Sequence, residues 1–198
     1  MGLFGLFSKN SPKKDIYDDW NKKAEERNAK LEYQNKLLDR VNAAQAKYKA
    51  DGDLQAVIAE LEYAFVVSNP PCASSQNMDL ATYYIKAGQN NKAWSYLNTL
   101  IATGQAPVKD VRFAQARILK KENKHTEAIR FFMFAYLDKS RWNATFQRDM
   151  FLKDISPSAK KLNLDEKTRN AIADIVQDAV KNNYDEDYIT TKYKPFVV

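Results

Sequence analysis

Few residues in this chain have the type and spacing for chemistry. The sequence holds one histidine, His125, and one cysteine, Cys72. His125 follows the turn-forming pair Asn123-Lys124, with no Ser or Cys nucleophile near it in sequence, so it reads as a surface turn residue rather than a general base. Cys72 lies in Pro70-Pro71-Cys72-Ala73, a loop with no cation within ten residues to favour a thiolate. One Cys and one His cannot make a zinc site, and one Cys cannot close an internal disulfide. The acid pairs Asp18-Asp19 and Glu25-Glu26 and the run Asp185-Glu186-Asp187 sit in hydrophilic stretches and read as solvated faces. Glycines occur only at positions 2, 5, 52, 88 and 104, so no phosphate-cradling loop is present. The expectation is a non-enzymatic chain without cofactor or metal.

The elements that position these residues follow from composition. The chain has 198 residues, 44% apolar and 28% charged, which is ample for a core. Low Gly and Pro content, without long Val/Ile runs, argues against a sandwich or barrel. No uncharged stretch approaches the ~20 apolar residues of a membrane span. The net charge is +6, and residues 109–152 alone carry ten basic and five acidic side chains. A folded basic face favours anionic partners.

Residues 1–14 form a separate segment. Leu3, Phe4, Leu6 and Phe7 precede Lys9, Lys13 and Lys14, a pattern that could dip into an anionic membrane surface. It lacks the basic start of a secretory signal and the Ser or Thr of a myristoylation site. From Asp15 to about Ala50 there is no Gly or Pro. Trp20, Ala24, Leu31, Leu38, Val41, Ala44 and Tyr48 recur at helical spacing, interrupted by Arg27 and Gln34. Residues 15–37 are too polar to be buried and read as an exposed helix or coiled-coil arm.

Residues 38–142 repeat. Val57, Ala93 and Ala128 stand 36 and 35 residues apart. Five residues before each is a helix-ending Gly52, Gly88 or Asn123. Nine before are Tyr48, Tyr84 and Leu119; twelve before are Gln45, Ala81 and Ala116. Four after are Leu61, Leu97 and Phe132; seven after are Ala64, Leu100 and Ala135. Small residues recur where two helices approach closely, and large ones fill the space beside them. Asn69-Pro70-Pro71 and Gly104-Gln105-Ala106-Pro107 close the first two units.

This register resembles the tetratricopeptide repeat, an antiparallel helix pair of about 34 residues. Ala81, Tyr84, Gly88, Ala93 and Leu97 carry the likeness in the middle unit. The early Trp of the family pattern is replaced by Val41, Asn77 and Arg112, and Gln45 stands where the first unit needs a small residue. The resemblance implies an all-α fold: a right-handed superhelix of about three hairpins, with an N-terminal helical arm and a C-terminal capping helix. It also implies a concave groove lined by the first helix of each pair. The facing positions are Asn42, Ala46 and Lys49, then Met78, Thr82, Ile85 and Lys86, then Phe113, Arg117, Lys120 and Lys121. The carboxylate clamp of the family's chaperone-binding members is not reproduced at Asn42, Ala46, Asp79, Asp110 and Ala114.

Residues 143–198 read as cap and tail. A helix continuing from Asn143 should stop at Ser156-Pro157. Asn163-Leu164-Asp165-Glu166 reads as the cap of a further helix, whose Ala171, Ile172, Ile175, Val176, Ala179 and Val180 share a face and which Asn182-Asn183 ends. The tail from Tyr184 should lie across the surface. Phe131 to Tyr136 read as core and docking surface for the cap. The function expected is a cytoplasmic adaptor that binds a protein or peptide with acidic and apolar residues in the groove, through Asn42, Lys49, Met78, Thr82, Ile85, Phe113, Arg117, Lys120 and Lys121. The alternatives are a peripheral protein held at the inner membrane surface by Leu3, Phe4, Leu6 and Phe7, and nucleic-acid binding through the basic third unit, the less favoured of the two.

Overall fold

The computed structural model describes residues 12–143 and 145–196. The apolar segment holding Leu3, Phe4, Leu6 and Phe7 lies outside the described residues. All regular structure among the described residues is helical, and no helix there is long and apolar enough to cross a membrane. The helices are α1 (Pro12–Asp51), α2 (Leu54–Glu62), α3 (Asn77–Lys86), α4 (Asn90–Ala102), α5 (Val108–Lys121), α6 (His125–Asn143), α7 (Arg148–Lys161), α8 (Glu166–Lys181) and α9 (Glu186–Tyr193). A π-helical turn, Tyr63–Val67, extends α2, and a 3-10 turn, Lys194–Phe196, follows α9.

Each helix packs on the next along the chain, and α6 also touches α8 and α9. The turns between them share one chemistry. Gly88, Gly104, Asn123, Asn163 and Asn183 have φ of +74°, +65°, +60°, +55° and +55°. In each case the following residue's N–H reaches five residues back, as from Gln89 to the Tyr84 carbonyl (2.8 Å) and from Leu164 to that of Ala159 (2.9 Å). This wraps the last carbonyls of a helix and reverses the chain, and only Gly or Asn enters the left-handed region cheaply. Helix starts are fixed by aspartates: Asp53 accepts from Ala56 N–H (3.0 Å), Asp165 from Thr168 N–H (2.7 Å) and Asp185 from Asp187 and Tyr188 N–H (3.1 Å each).

The aligned small and large positions are where helices meet. Val57, Ala93 and Ala128 are buried, as are Leu61, Leu97, Phe132, Ala64, Leu100, Ala135, Ala81 and Ala116. Gln45, the misfit of the first unit, is half-buried and donates to Asp79 Oδ2 at 2.8 Å, tying α1 to α3. The core forms two clusters that meet along α5. Val111, Ala114 and Ile118 join the cluster built from α1–α4, and Ala116 joins the one built from α6–α9.

The arm and the first helix of the first unit are one continuous 40-residue helix, largely exposed up to Lys36 and buried on one face from Leu37. Three expectations change. α7 runs through Ser156-Pro157 to Lys161; Pro157 is exposed, so its ring lies on the solvent side of the helix, away from the packed face. Asp165, not Asn163, caps α8, because Asn163 is occupied in the left-handed turn closing α7. The segment after Tyr184 is not a surface tail. Ile189 and Tyr193, four apart on α9, are buried against α6 and α8, and the Tyr193 hydroxyl donates to the Thr126 carbonyl (3.2 Å).

Candidate binding cleft

The residues with apparent chemistry are committed to structure. Cys72 is buried, and burial pushes its thiol pKa up, away from the reactive thiolate. His125 Nδ1 lies 3.3 Å from Ser158 Oγ, a pairing the sequence did not suggest. Ser158 is fully buried in α7, so no substrate carbonyl reaches its oxygen; the contact joins α6 to α7. Asp185 is exposed and caps α9, whereas Glu186 is half-buried and bound by Arg112, so Glu186 is not part of a solvated face. Among the described residues, no group of three or more His, Cys, Asp or Glu could hold a metal ion.

The expected groove residues divide into two groups. Met78 and Thr82 of α3 and Phe113 and Arg117 of α5 line one cleft of about 440 Å³. Ser75, Asp110, Ala114, Tyr136 and Lys139 of α6, and Met150 and Asp154 of α7, complete it. The other five lie elsewhere. Asn42 Oδ1 accepts from Gln76 Nε2 at 3.3 Å, and Lys49 is exposed on α1. Ile85 packs half-buried against the first core cluster. Lys121 Nζ donates to the Ile85 carbonyl at 2.5 Å, so this lysine closes the end of α3. Lys120 is half-buried. The basic ridge expected from Arg117, Lys120 and Lys121 therefore contributes one cation, Arg117, to the cleft.

The cleft lies at the seam between the two core clusters, and aromatic rings form its wall. Phe113 meets Tyr136 edge-on at 5.3 Å and Phe132 at 6.2 Å. Tyr136 in turn packs on Phe151 at 5.4 Å. The Tyr136 hydroxyl donates to Asp154 Oδ2 (2.8 Å), and burial together with this bond drives the phenol pKa well above its usual range. The phenol stays neutral and serves as a fixed donor that orients Asp154. Lys139 Nζ sits 5.2 Å from the Tyr136 ring centroid, within cation–π range. Met150 is 51% exposed at the cleft, and Met78 is half-buried on the other side.

The cleft is thus of mixed lining, more polar than apolar: Met78, Met150 and the Phe113 and Tyr136 rings share it with the cations Arg117 and Lys139 and the carboxylates Asp110 and Asp154. Methionine is unbranched and adapts its shape to what lies on it.

Sequence reasoning missed Lys139, Met150 and Asp154. Lys139 lies in the part of α6 (19 residues) that extends beyond the length of its counterpart α4 (13), and Met150 and Asp154 come from α7, which packs on α6. The signal was available in the turns: Asn163 repeats the left-handed turn of Asn123 after 40 residues rather than 35.

Comparison with family models, with characterised proteins and with solved structures finds no match for this chain.

Proposed function

We propose that this chain is a non-enzymatic protein-interaction module whose stacked, tetratricopeptide-like hairpins present the α3–α5–α6–α7 cleft to a peptide or protein segment carrying an apolar anchor and acidic residues. The observation that carries this reading is the convergence of Met78, Thr82, Phe113 and Arg117, expected from the repeat resemblance, with Met150 and Lys139 in one open cleft of about 440 Å³. An apolar side chain of the partner seats between Met78, Phe113 and Met150. Its acids meet Arg117 and Lys139, and charge placement sets orientation and association rate more than affinity. Asp110 and Asp154 supply the opposite sign, so the partner's cations are placed as well and a uniform polyanion is disfavoured. The superhelical stacking is supported by the alternation of close small residues and left-handed turns, and α7–α8 reads as a fourth hairpin with α9 as the cap.

The test is affinity capture from cells that express the protein, comparing wild type with a Phe113→Ala/Arg117→Glu double variant of unchanged fold. Partners retained by wild type and lost by the variant support the cleft. Identical partner sets would remove it.

A further inference from the structure

The first half of α1 carries an apolar stripe that stands exposed among the described residues. Tyr17 is 69% exposed, Trp20 71%, Ile16 56% and Leu31 55%. Tyr17, Trp20, Ala24, Arg27 and Leu31 follow steps of three and four, the spacing of a two-helix seam. Lower on the same stripe the chain covers itself. Gln34 Nε2 donates to the Pro71 carbonyl (3.3 Å), its Oε1 accepts from Ala73 N–H (2.7 Å), and Val41 is buried. Polar helical segments of about twenty residues are marginal alone in water, so an exposed stripe of this kind calls for a partner helix.

We infer that this arm is a self-association surface, on which the arm of a second copy lies antiparallel over residues 12–32. Three observations select that occupant. Residues 12–32, the span of the overlap, hold six acidic and six basic side chains, so the arm is charge-balanced. Interfacial helices that bind anionic membranes have a basic polar face instead, and polyanions in general need a basic one. Second, the stripe is complementary to itself in one antiparallel register. Trp20 of each copy falls opposite Ala24 of the other, the largest side chain against the smallest. Tyr17 falls opposite Arg27, which places the cation that interrupts the stripe over a ring. Among the like-charged residues that fall level with one another, Asp18 with Glu26, Asp19 with Glu25 and Lys22 with Lys22 lie off the Tyr17–Trp20–Ala24 stripe on the outer faces of the two helices, and Lys23, which flanks the axis, already pairs through Nζ with Asp19 Oδ2 at 2.7 Å. Third, the fold limits the overlap. In this register Pro12 of one copy lies level with residue 32 of the other and stops short of the Pro71–Ala73 loop. Sliding one heptad further brings Tyr17 level with Gln34 and drives the incoming helix into that loop. The overlap is about 30 Å of helix, which makes a modest interface and a concentration-dependent dimer.

The experiment is sedimentation equilibrium of the full chain from about 5 to about 500 μM, the range of weak association. Wild type should pass from monomer to dimer. Trp20→Glu, at a site 71% exposed and therefore harmless to the fold, should weaken the dimer at least about tenfold. Val67→Glu, an equally exposed apolar site elsewhere, should not. Under mild oxidation a Tyr17→Cys/Arg27→Cys variant should cross-link between copies, and Tyr17→Cys alone should not. The inference is overturned by any of four results: a monomer throughout the range, a dimer indifferent to Trp20→Glu, equal loss with Val67→Glu, or cross-linking by Tyr17→Cys alone. Binding of a monomeric wild type to anionic vesicles, lost with Trp20→Glu, would assign the stripe to lipid and equally overturn it.

Discussion

Glu186→Ala gives the sharpest test of how the C-terminal helix is held. Glu186, in the first turn of α9, accepts two bonds from Arg112 of α5, from Nε at 3.1 Å and Nη2 at 3.0 Å. Arg112 Nη1 also donates to Gln115 (3.1 Å), and its guanidinium lies 5.4 and 5.7 Å from the Phe131 and Phe134 rings. The two side chains are 21% and 34% exposed. Exposed pairs contribute ~0–1 kcal/mol, and breaking a fully buried pair costs ~3–5. An intermediate site should lose about 2 kcal/mol, or roughly 4–8 °C in Tm for a domain of this size. Burial raises the Glu186 pKa, the nearby Asp138 carboxylate raises it further, and Arg112 and Arg141 oppose both without overcoming them. Asp138 is raised by burial as well, against Arg141 and Arg112. A carboxyl whose folded pKa is raised holds its proton longer in the native state. Stability therefore falls as pH climbs from the ordinary carboxyl value through the raised one. Urea titrations of wild type, Glu186→Ala, Arg112→Ala and the double variant give the coupling directly. The wild-type advantage over Glu186→Ala should narrow as pH rises from about 4.5 to 7. A coupling below about 0.5 kcal/mol, or an advantage that widens with pH, would refute this account of the clamp.

Other outcomes follow from the same packing. Ala93→Arg places a long cation at a fully buried helix contact and should cost several kcal/mol, seen as loss of the cooperative thermal transition; an unchanged Tm would show that Ala93 is not confined. Asn123→Gly, at φ +60°, should be neutral or slightly stabilising, whereas Asn123→Val should cost about 1–2 kcal/mol by chemical denaturation. Cys72 in the native protein should react with a thiol-specific alkylating agent far more slowly than in urea, since its thiol is buried and its pKa raised.

What the sequence made legible was set by local chemistry. Gly52, Gly88 and Asn123 announced the turns because few residues tolerate a positive φ, and the alanines announced helix contacts because little else fits there. These positions set the register, and the resemblance to a known repeat then placed Met78, Thr82, Phe113 and Arg117 on a common surface. Lys121 was misjudged because a surface-pattern residue was recruited by the Ile85 carbonyl, a long-range partner that no local rule reveals. Pro157 was read as a stop although its exposed position in α7 keeps its ring on the solvent side of the helix. α9 was missed because its apolar signal is two buried residues, Ile189 and Tyr193, among charges. Met150 and Asp154 lie on α7, whose packing on α6 no local rule reveals.

The central claim is that the cleft between α3, α5, α6 and α7 is where a partner binds. A photo-cross-linking residue introduced at Thr82, exposed at the cleft, and in a second protein at Thr99, exposed on α4 outside it, tests this in cells. Cross-linked partner species should form from position 82 and not from position 99, and should disappear when Phe113→Ala/Arg117→Glu is added. Cross-links of equal yield from both positions, or from position 99 alone, would contradict it.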